Sequence, residues 1–159
     1  MTADALLRVV EEVLAENPYG FLITGVEQAR ARLVHHLSAD LADGLWIGTS
    51  PASRKAADVV AAPEVVYAVE DRGRFAYVSL SCSARVVDDD VARRERWVPS
   101  LATFFPAGPL GGDFVLLSLV PHRIELMSFA DRVHPDPYGL APAVLVQRPG
   151  GRQWEIIEA

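Results

Sequence analysis

The chain has 159 residues, half of them apolar, with a formal net charge of −6 and a single cysteine, Cys82. That length suits one compact domain spanning 1–159, or one subunit of an oligomer, and the apolar fraction is enough for a real core. The acidic balance argues against broad nucleic-acid binding, no run approaches the ~18 uninterrupted apolar residues of a membrane span, and a lone cysteine rules out an intramolecular disulfide and fits a reducing cytoplasm.

Residues 4–16 place Leu6, Leu7, Val10, Val13 and Leu14 at helical spacing with acids between them, which predicts an N-terminal helix within 1–17. The helix is charged and amphipathic, without the basic start and unbroken apolar centre of a signal peptide. Asn17-Pro18-Tyr19-Gly20 stops it. Strands follow at 21–25, 31–37 and 44–49, with "GVEQAR" and "SADLADG" as turns between them. Residues 51–61 read as a short helix closed by Pro63. "EVVYAVED" and "GRFAYVSLSCSARVVDD" are two strands joined through "DRG", and alternation on the second puts Tyr77, Ser79, Ser81 and Ser83 on one face.

Residues 89–97 read as a helix that "SLATFFPAG" continues as far as Pro106. "GDFVLLSLVPHRIELMSF" is another long strand, with an irregularity expected at Pro121. The tail, 130–159, ends in "APAVLVQRP" and "RQWEIIEA", which can pair as a hairpin through "RPGGR". Many antiparallel strands and a few short helices predict a mainly β fold, a barrel with flanking helices.

The mouth of the 51–61 helix carries the densest chemistry. Ser50 suits an N-cap and Pro51 a first helical position. First-turn N–H groups and the helix dipole favour an anion there. Ser53 adds a hydroxyl, Arg54 a planar fork and Lys55, the sole lysine of the chain, a flexible point charge. Together they can hold a dianionic phosphate; the plainer alternative is an ordinary capped helix with a solvated Arg-Lys pair. There is neither a GxGxxG loop nor a P-loop.

His35 and His36 are adjacent, so on a strand they face opposite sides and cannot form a metal pair. One is expected at a cleft or seam, as a hydrogen-bonded interface residue or a proton-moving group, and the other toward the barrel or solvent. His122, next to Pro121, reads as a surface turn residue. Cys82 lies on a strand with no local base, so a buried inert thiol is expected, and no Cys/His cluster has zinc spacing. Trp97, Phe104 and Phe105 are core or interface anchors by type, with Trp97 the leading candidate for the wall of a substrate pocket.

The succession "ARARLV", "LWIGTSPASRKAADVVAAPEVVYAVED", "YVSLSCSARVVDD", "RWVPSLATFFPAG" and "DFVLLSLVPHRIELMSF" resembles the pyridoxamine 5′-phosphate oxidase-like FMN-binding split-barrel family, and within it the general stress protein 26 branch. The resemblance covers about residues 5–129. It implies a six-stranded antiparallel Greek-key split barrel, and a homodimer with FMN in a cleft between subunits. It implies further that Arg32 begins the first flavin-binding strand, that the backbone of Leu33, Val34 and His35 edges the isoalloxazine, and that Thr49 and Ser50 lie beside the ribityl phosphate. Ser53, Arg54 and Lys55 match the phosphate triplet, and Tyr77 a flavin-contacting position that is often Gln in the true oxidases.

The chain departs from the vitamin oxidases where their first strand ends in a lysine that holds pyridoxal phosphate. It reads Val34-His35-His36-Leu37 there, has Cys82 where glycine is common, and keeps only a faint echo of the substrate motif in Arg132-Val133-His134. Vitamin B6 oxidation is therefore not expected. Two functions remain open: an FMN oxidoreductase acting on a small molecule, with Trp97, His35, Arg132 and His134 as pocket candidates, or a flavin-binding stress protein with little turnover. The same fold with F420 or haem is the alternative cofactor reading.

Overall fold

The computed structural model describes residues 1–25 and 27–158. Val26, in the expected turn after the first strand, and Ala159, at the end of the last, lie outside the described residues. Helix α1 (Ala3–Glu16) is capped by Thr2, whose hydroxyl accepts from the Ala5 N–H at 3.2 Å. It buries Leu6, Val9, Val10, Val13 and Leu14, one stripe at i, i+3, i+4 spacing. Asn17 ends it by donating to the Val13 carbonyl at 2.9 Å and to Asp71 at 3.0 Å.

Strands β1 (Tyr19–Thr24), β2 (Arg30–His35), β3 (Leu45–Thr49), β4 (Glu64–Asp71), β5 (Ala76–Val87) and β6 (Val115–Ser128) form the barrel, and helix α2 (Arg54–Ala61) joins β3 to β4. Neighbours run β2-β1-β4-β5-β6, with β3 on the first part of β6. The ring closes where His36 bridges Ile47 and the Leu37 N–H donates to the Trp46 carbonyl at 2.8 Å. These are six strands in antiparallel order, and the β4-β5-β6 meander that brings β6 back beside the earlier β3 is a Greek key. The last part of β6 pairs instead with β7 (Ala143–Gln147), which pairs with β8 (Trp154–Glu158), so the expected tail hairpin extends the sheet beyond the barrel. The irregularity at Pro121 is a bulge: Ser81 pairs with Arg123 and Cys82 with Pro121, leaving His122 as the extra residue.

Two boundaries differ from expectation. The helix α3 (Asp90–Arg96) does not continue into "SLATFFPAG"; Trp97 and Val98 are extended and a 3-10 turn spans Pro99–Thr103. Pro99 has no N–H to give to an α-helical ladder and disfavours the helical region at Val98. The strand β1 starts at Tyr19, inside the stretch read as a stop, because Pro18 terminates the helix without preventing the next residue from pairing with His35.

The main core lies inside the barrel and under α1, with Leu22, Ile47, Val78, Leu80, Leu117, Ile124 and Leu126 fully buried. A second cluster packs Phe114 among Trp46, Leu101 and Leu116, with Trp97 edge-on at 5.1 Å between ring centres. Gly48 leaves room for it: a Cβ there would stand 2.8 Å from the Phe114 ring.

Candidate functional site

The segment between β3 and α2 is organised by two serines with different tasks. Ser50 is not the helix cap. It opens a tight turn in which its carbonyl accepts the Ser53 N–H at 3.0 Å and its hydroxyl the Ala52 N–H at 3.1 Å, with Pro51 in the second turn position that its fixed φ suits. Ser53 is the cap: its Oγ accepts the Ala56 N–H at 3.2 Å, and the Ala57 N–H donates to its carbonyl at 3.2 Å. Capping from Ser53 puts Arg54 and Lys55 in the first turn, where backbone N–H groups have no helical acceptor. Buried Thr49 donates its hydroxyl to Ser53 Oγ at 3.0 Å. Ser53 Oγ therefore accepts twice, and its own O–H is left to donate outward.

Arg32 reaches this helix from β2. It donates to Thr24 Oγ1 at 2.6 Å and to Asp58 Oδ2 at 3.0 Å, while Thr24 donates to the same carboxylate oxygen at 2.8 Å. Arg30, two residues earlier on the same face of β2, pairs with Asp58 Oδ1 at 3.3 Å. The Thr24 hydroxyl, and then the Arg32 guanidinium, hold the Asp58 carboxyl below the usual carboxylate range. Lys55 is different. Among the described residues neither Lys55 nor Arg54 has an ion-pair partner within 4.0 Å. Partial burial lowers the Lys55 ammonium from its ordinary range, and repulsion from Arg32 lowers it further. A half-buried cation beside a second cation, under a helix N-terminus, is a setting that an anion relieves.

The ring-edge candidates lie on the outer face of the sheet. Tyr19 pairs with His35, and Phe21 pairs across with Leu33 and Ala68. Tyr19, Phe21 and Leu33 are 58%, 50% and 61% exposed, a concentration of large apolar side chains on one face. His35 stacks on Tyr19 at 5.1 Å, and Val34 points into the core. Tyr77 is on the same face but far along it: it pairs with Glu70 and Met127, in the order β2-β1-β4-β5. Three strand spacings of ~4.8 Å separate it from His35, about 14 Å. The chain thus unites Arg32, Thr49, Ser50, Ser53, Arg54 and Lys55 at the α2 mouth and sets Leu33 and His35 beside it on β2, but it does not bring Tyr77 to them.

Trp97 belongs to the Phe114 cluster, half-buried behind β3. Arg132 and His134 lie beyond the end of β6, where His134 stacks on Phe129 at 4.3 Å and lines a small cavity with Arg132, Leu6 and Ala143. They meet α1 and β7, not α2.

The two adjacent histidines do face opposite ways. His36 is 4% exposed. Its Nε2 lies 2.7 Å from the Leu14 carbonyl, which can only accept, so Nε2 carries the proton and Nδ1 accepts from the Tyr67 hydroxyl at 2.5 Å. Burial lowers the His36 pKa and raises that of Tyr67. Cys82 is a buried thiol pushed upward by desolvation, the inert state its sequence context predicted. Among the described residues no group of three His, Cys, Asp or Glu side chains is arranged to hold a metal, and no helix is long and apolar enough to cross a membrane.

Asp58, Arg30 and Thr24 are participants that sequence reading missed. Asp58 had a signal: it is the only acid of α2 and stands three residues after Lys55, on the same side of the helix. Thr24 and Arg30 had none short of knowing that β1 and β2 pair in register.

The sequence matches the family described as pyridoxamine 5′-phosphate oxidase like over residues 5–126. Among curated proteins none matches it in sequence. Among solved structures, a Clostridium acetobutylicum protein related to general stress protein 26 superposes with a TM-score of 0.72 at 14% identity, over 81% of this chain and 92% of that one. The general stress FMN/FAD binding protein of Xanthomonas citri gives 0.70 at 20% identity, over 87% and 99%. A pyridoxamine 5′-phosphate oxidase-related, FMN binding protein of Nostoc punctiforme gives 0.66 at 15% identity, over the full length of both. Barrel closure through His36 and Ile47, the solved folds it resembles and a sequence match across most of its length agree: the chain belongs to the pyridoxamine 5′-phosphate oxidase-like family.

Proposed function

We propose that this chain is an FMN-binding flavoprotein and an oxidoreductase of a small-molecule substrate, working as a cytoplasmic homodimer. The observation that carries the reading is the uncompensated cation pair Arg54 and Lys55 in the first turn of α2, beside an Arg32 fixed by Asp58. The donors fit a phosphate monoester: the Ser53 O–H, the first-turn N–H groups, the Arg54 fork and the Lys55 ammonium belong to consecutive residues at one helix mouth. FMN, when bound, supplies hydride and electron transfer. The chain's own residues anchor the phosphate, orient it through Thr49 and Ser53, and present β2 with Leu33 and His35 to the ring.

The Tyr19, Phe21 and Leu33 face supports a second copy as its cover, since a self-complementary apolar patch used twice makes a two-fold dimer. A second copy would also supply Tyr77, which one protomer leaves about 14 Å away along its own sheet. No vitamin B6 oxidation is proposed, because the residues after Val34 offer histidine in place of the lysine that holds pyridoxal phosphate.

FMN is favoured over F420 by the same geometry, and His36 is closed to a haem iron because it is buried with both ring nitrogens engaged. The acidic tail of F420 would want a broad basic groove, whereas Arg30 and Arg32 are both spent on Asp58. Parallel titrations with FMN, F420 and haem, followed by absorbance and fluorescence, test the cofactor. Saturable FMN binding at one per subunit is expected; exclusive binding of F420 or haem would overturn the assignment.

A further inference from the structure

Strand β6 changes partners halfway along one edge. Its pairing with β3 ends at Leu119, opposite Leu45, and its pairing with β7 begins at Arg123, opposite Val146. Between them, at Val120, Pro121 and the bulged His122, that edge has no strand neighbour among the described residues. Pro121 limits the cost, since it has no N–H to leave unpaired. The β7–β8 hairpin, turned at Gly150 with φ +75°, folds back over the gap, and α1 with the β2–β3 loop closes the other side. The result is a cavity of about 490 Å³, within the size range of small-molecule sites.

Its walls are apolar: Leu7 from α1, Leu41 from the loop, Val120 and Pro121 from β6, and the half-buried indole of Trp154. Val120 is half-exposed and lines this space. The polar groups are few, with one carboxylate, Glu11, and one guanidinium, Arg152, at separate points of the wall. The Glu11 carboxylate is already engaged, accepting the Leu41 N–H at 3.1 Å. Arg148 is paired with Glu155 at 2.9 Å, which leaves Arg152 at the rim with no carboxylate partner among the described residues. Gln147 and Trp154, paired across β7 and β8, add an amide and an indole N–H as donors.

We propose that this cavity is a second small-molecule site, separate from the α2 mouth, and that it takes an amphipathic monocarboxylate: a medium-chain or arylalkyl acid with its body against Leu7, Leu41, Val120 and Trp154 and its carboxylate on Arg152. The site uses no residue of the phosphate grip, so it stands or falls independently of the flavin reading.

Isothermal titration of the full chain with decanoate, decylamine and decanol, which share a tail and differ in head group, tests it. Decanoate binds saturably at one per chain, and more tightly than either analogue. Arg152→Gln weakens decanoate by about ten-fold or more, the scale of one lost charge-assisted bond, and leaves decanol unchanged. Ala42→Trp, which fills the cavity mouth from an exposed position, abolishes binding of all three while the thermal midpoint stays that of the parent. The proposal is overturned by no saturable decanoate binding, by decylamine binding as tightly as decanoate, or by decanoate affinity that both variants leave untouched.

Discussion

Lys55 stands close enough to Arg32 for the two positive charges to repel, yet among the described residues only Arg32 of the two pairs with a carboxylate, Asp58 at 3.0 Å. The imbalance is local and directional. Asp58 sits one turn into α2 and ties Arg32 down, so the charge left over belongs to Lys55 and Arg54 at the helix mouth. A ligand phosphate there would gain two charge-assisted contacts without first breaking an internal ion pair.

Arg54→Ala is therefore expected to weaken FMN binding with little effect on folding, because Arg54 is exposed and makes no internal bond among the described residues. A bond to a charged group is worth about 1.5–3 kcal/mol, so the dissociation constant should rise roughly ten- to 150-fold. Quenching of FMN fluorescence on titration reads it directly, and a variant within two-fold of the parent would remove Arg54 from the grip.

Leu33→Glu should separate the proposed dimer. Leu33 is the cross-strand partner of Phe21 in the exposed apolar patch and touches no core, so a carboxylate there leaves the monomer intact and the seam charged. Sedimentation analysis should find monomer for the variant and dimer for the parent. Dimeric Leu33→Glu would mean that subunits meet elsewhere.

Gly20→Ala tests the barrel beneath α1. A Cβ at this position would fall 2.6 Å from the Tyr67 ring and 2.8 Å from the Ala68 carbonyl, and the latter is backbone and cannot swing away. Overpacking of this kind costs about 1–3 kcal/mol, which in a chain of this size lowers the thermal midpoint by roughly 2–4 °C per kcal/mol. Calorimetry on the two proteins checks it.

Stability should fall on acidification near neutrality because of His36. Its folded pKa lies below the ordinary 6.5, so the unfolded chain binds the proton first, and stability is progressively lost as pH drops through 6.5 toward the folded value. The group facing His36 across Nδ1 is the Tyr67 hydroxyl and across Nε2 the Leu14 carbonyl; His35 adds a minor repulsion. Urea midpoints between about pH 5 and 7.5 should slope upward in the parent, and His36→Gln should be less stable at pH 7.5 but flatter with pH. An equal slope in both would rule His36 out as the source, since Asp58, Glu64 and Asp71, with depressed folded pKa values, lose their contribution only below this range.

Period and punctuation made most of the fold readable. The stripe of Leu6, Val10, Val13 and Leu14 and the alternation of Tyr77 through Ser83 name their elements without tertiary help. The proposed phosphate triplet stands out in the sequence because Ser, Arg and Lys are adjacent, although the cap proved to be Ser53: a Ser-Pro pair opens turns as readily as helices, and only the hydrogen bonds to Ala52 and Ala56 distinguish the two. The partners that complete the site were not legible. Thr24, Arg30 and Asp58 come from three elements and meet only through strand register, and the Tyr67–His36–Leu14 chain joins β4, the residue after β2, and α1. The cavity beneath the tail hairpin depends on where β6 exchanges β3 for β7, which residue types alone do not specify.

The most direct test of the phosphate grip compares FMN with riboflavin, which differ only in the phosphate, on the parent chain and on Lys55→Ala. The parent is expected to bind FMN at least about ten-fold more tightly than riboflavin, and the substitution to erase most of that preference while leaving riboflavin affinity nearly unchanged. Equal affinity of the parent for the two flavins, or a preference that survives the loss of Lys55, would contradict it.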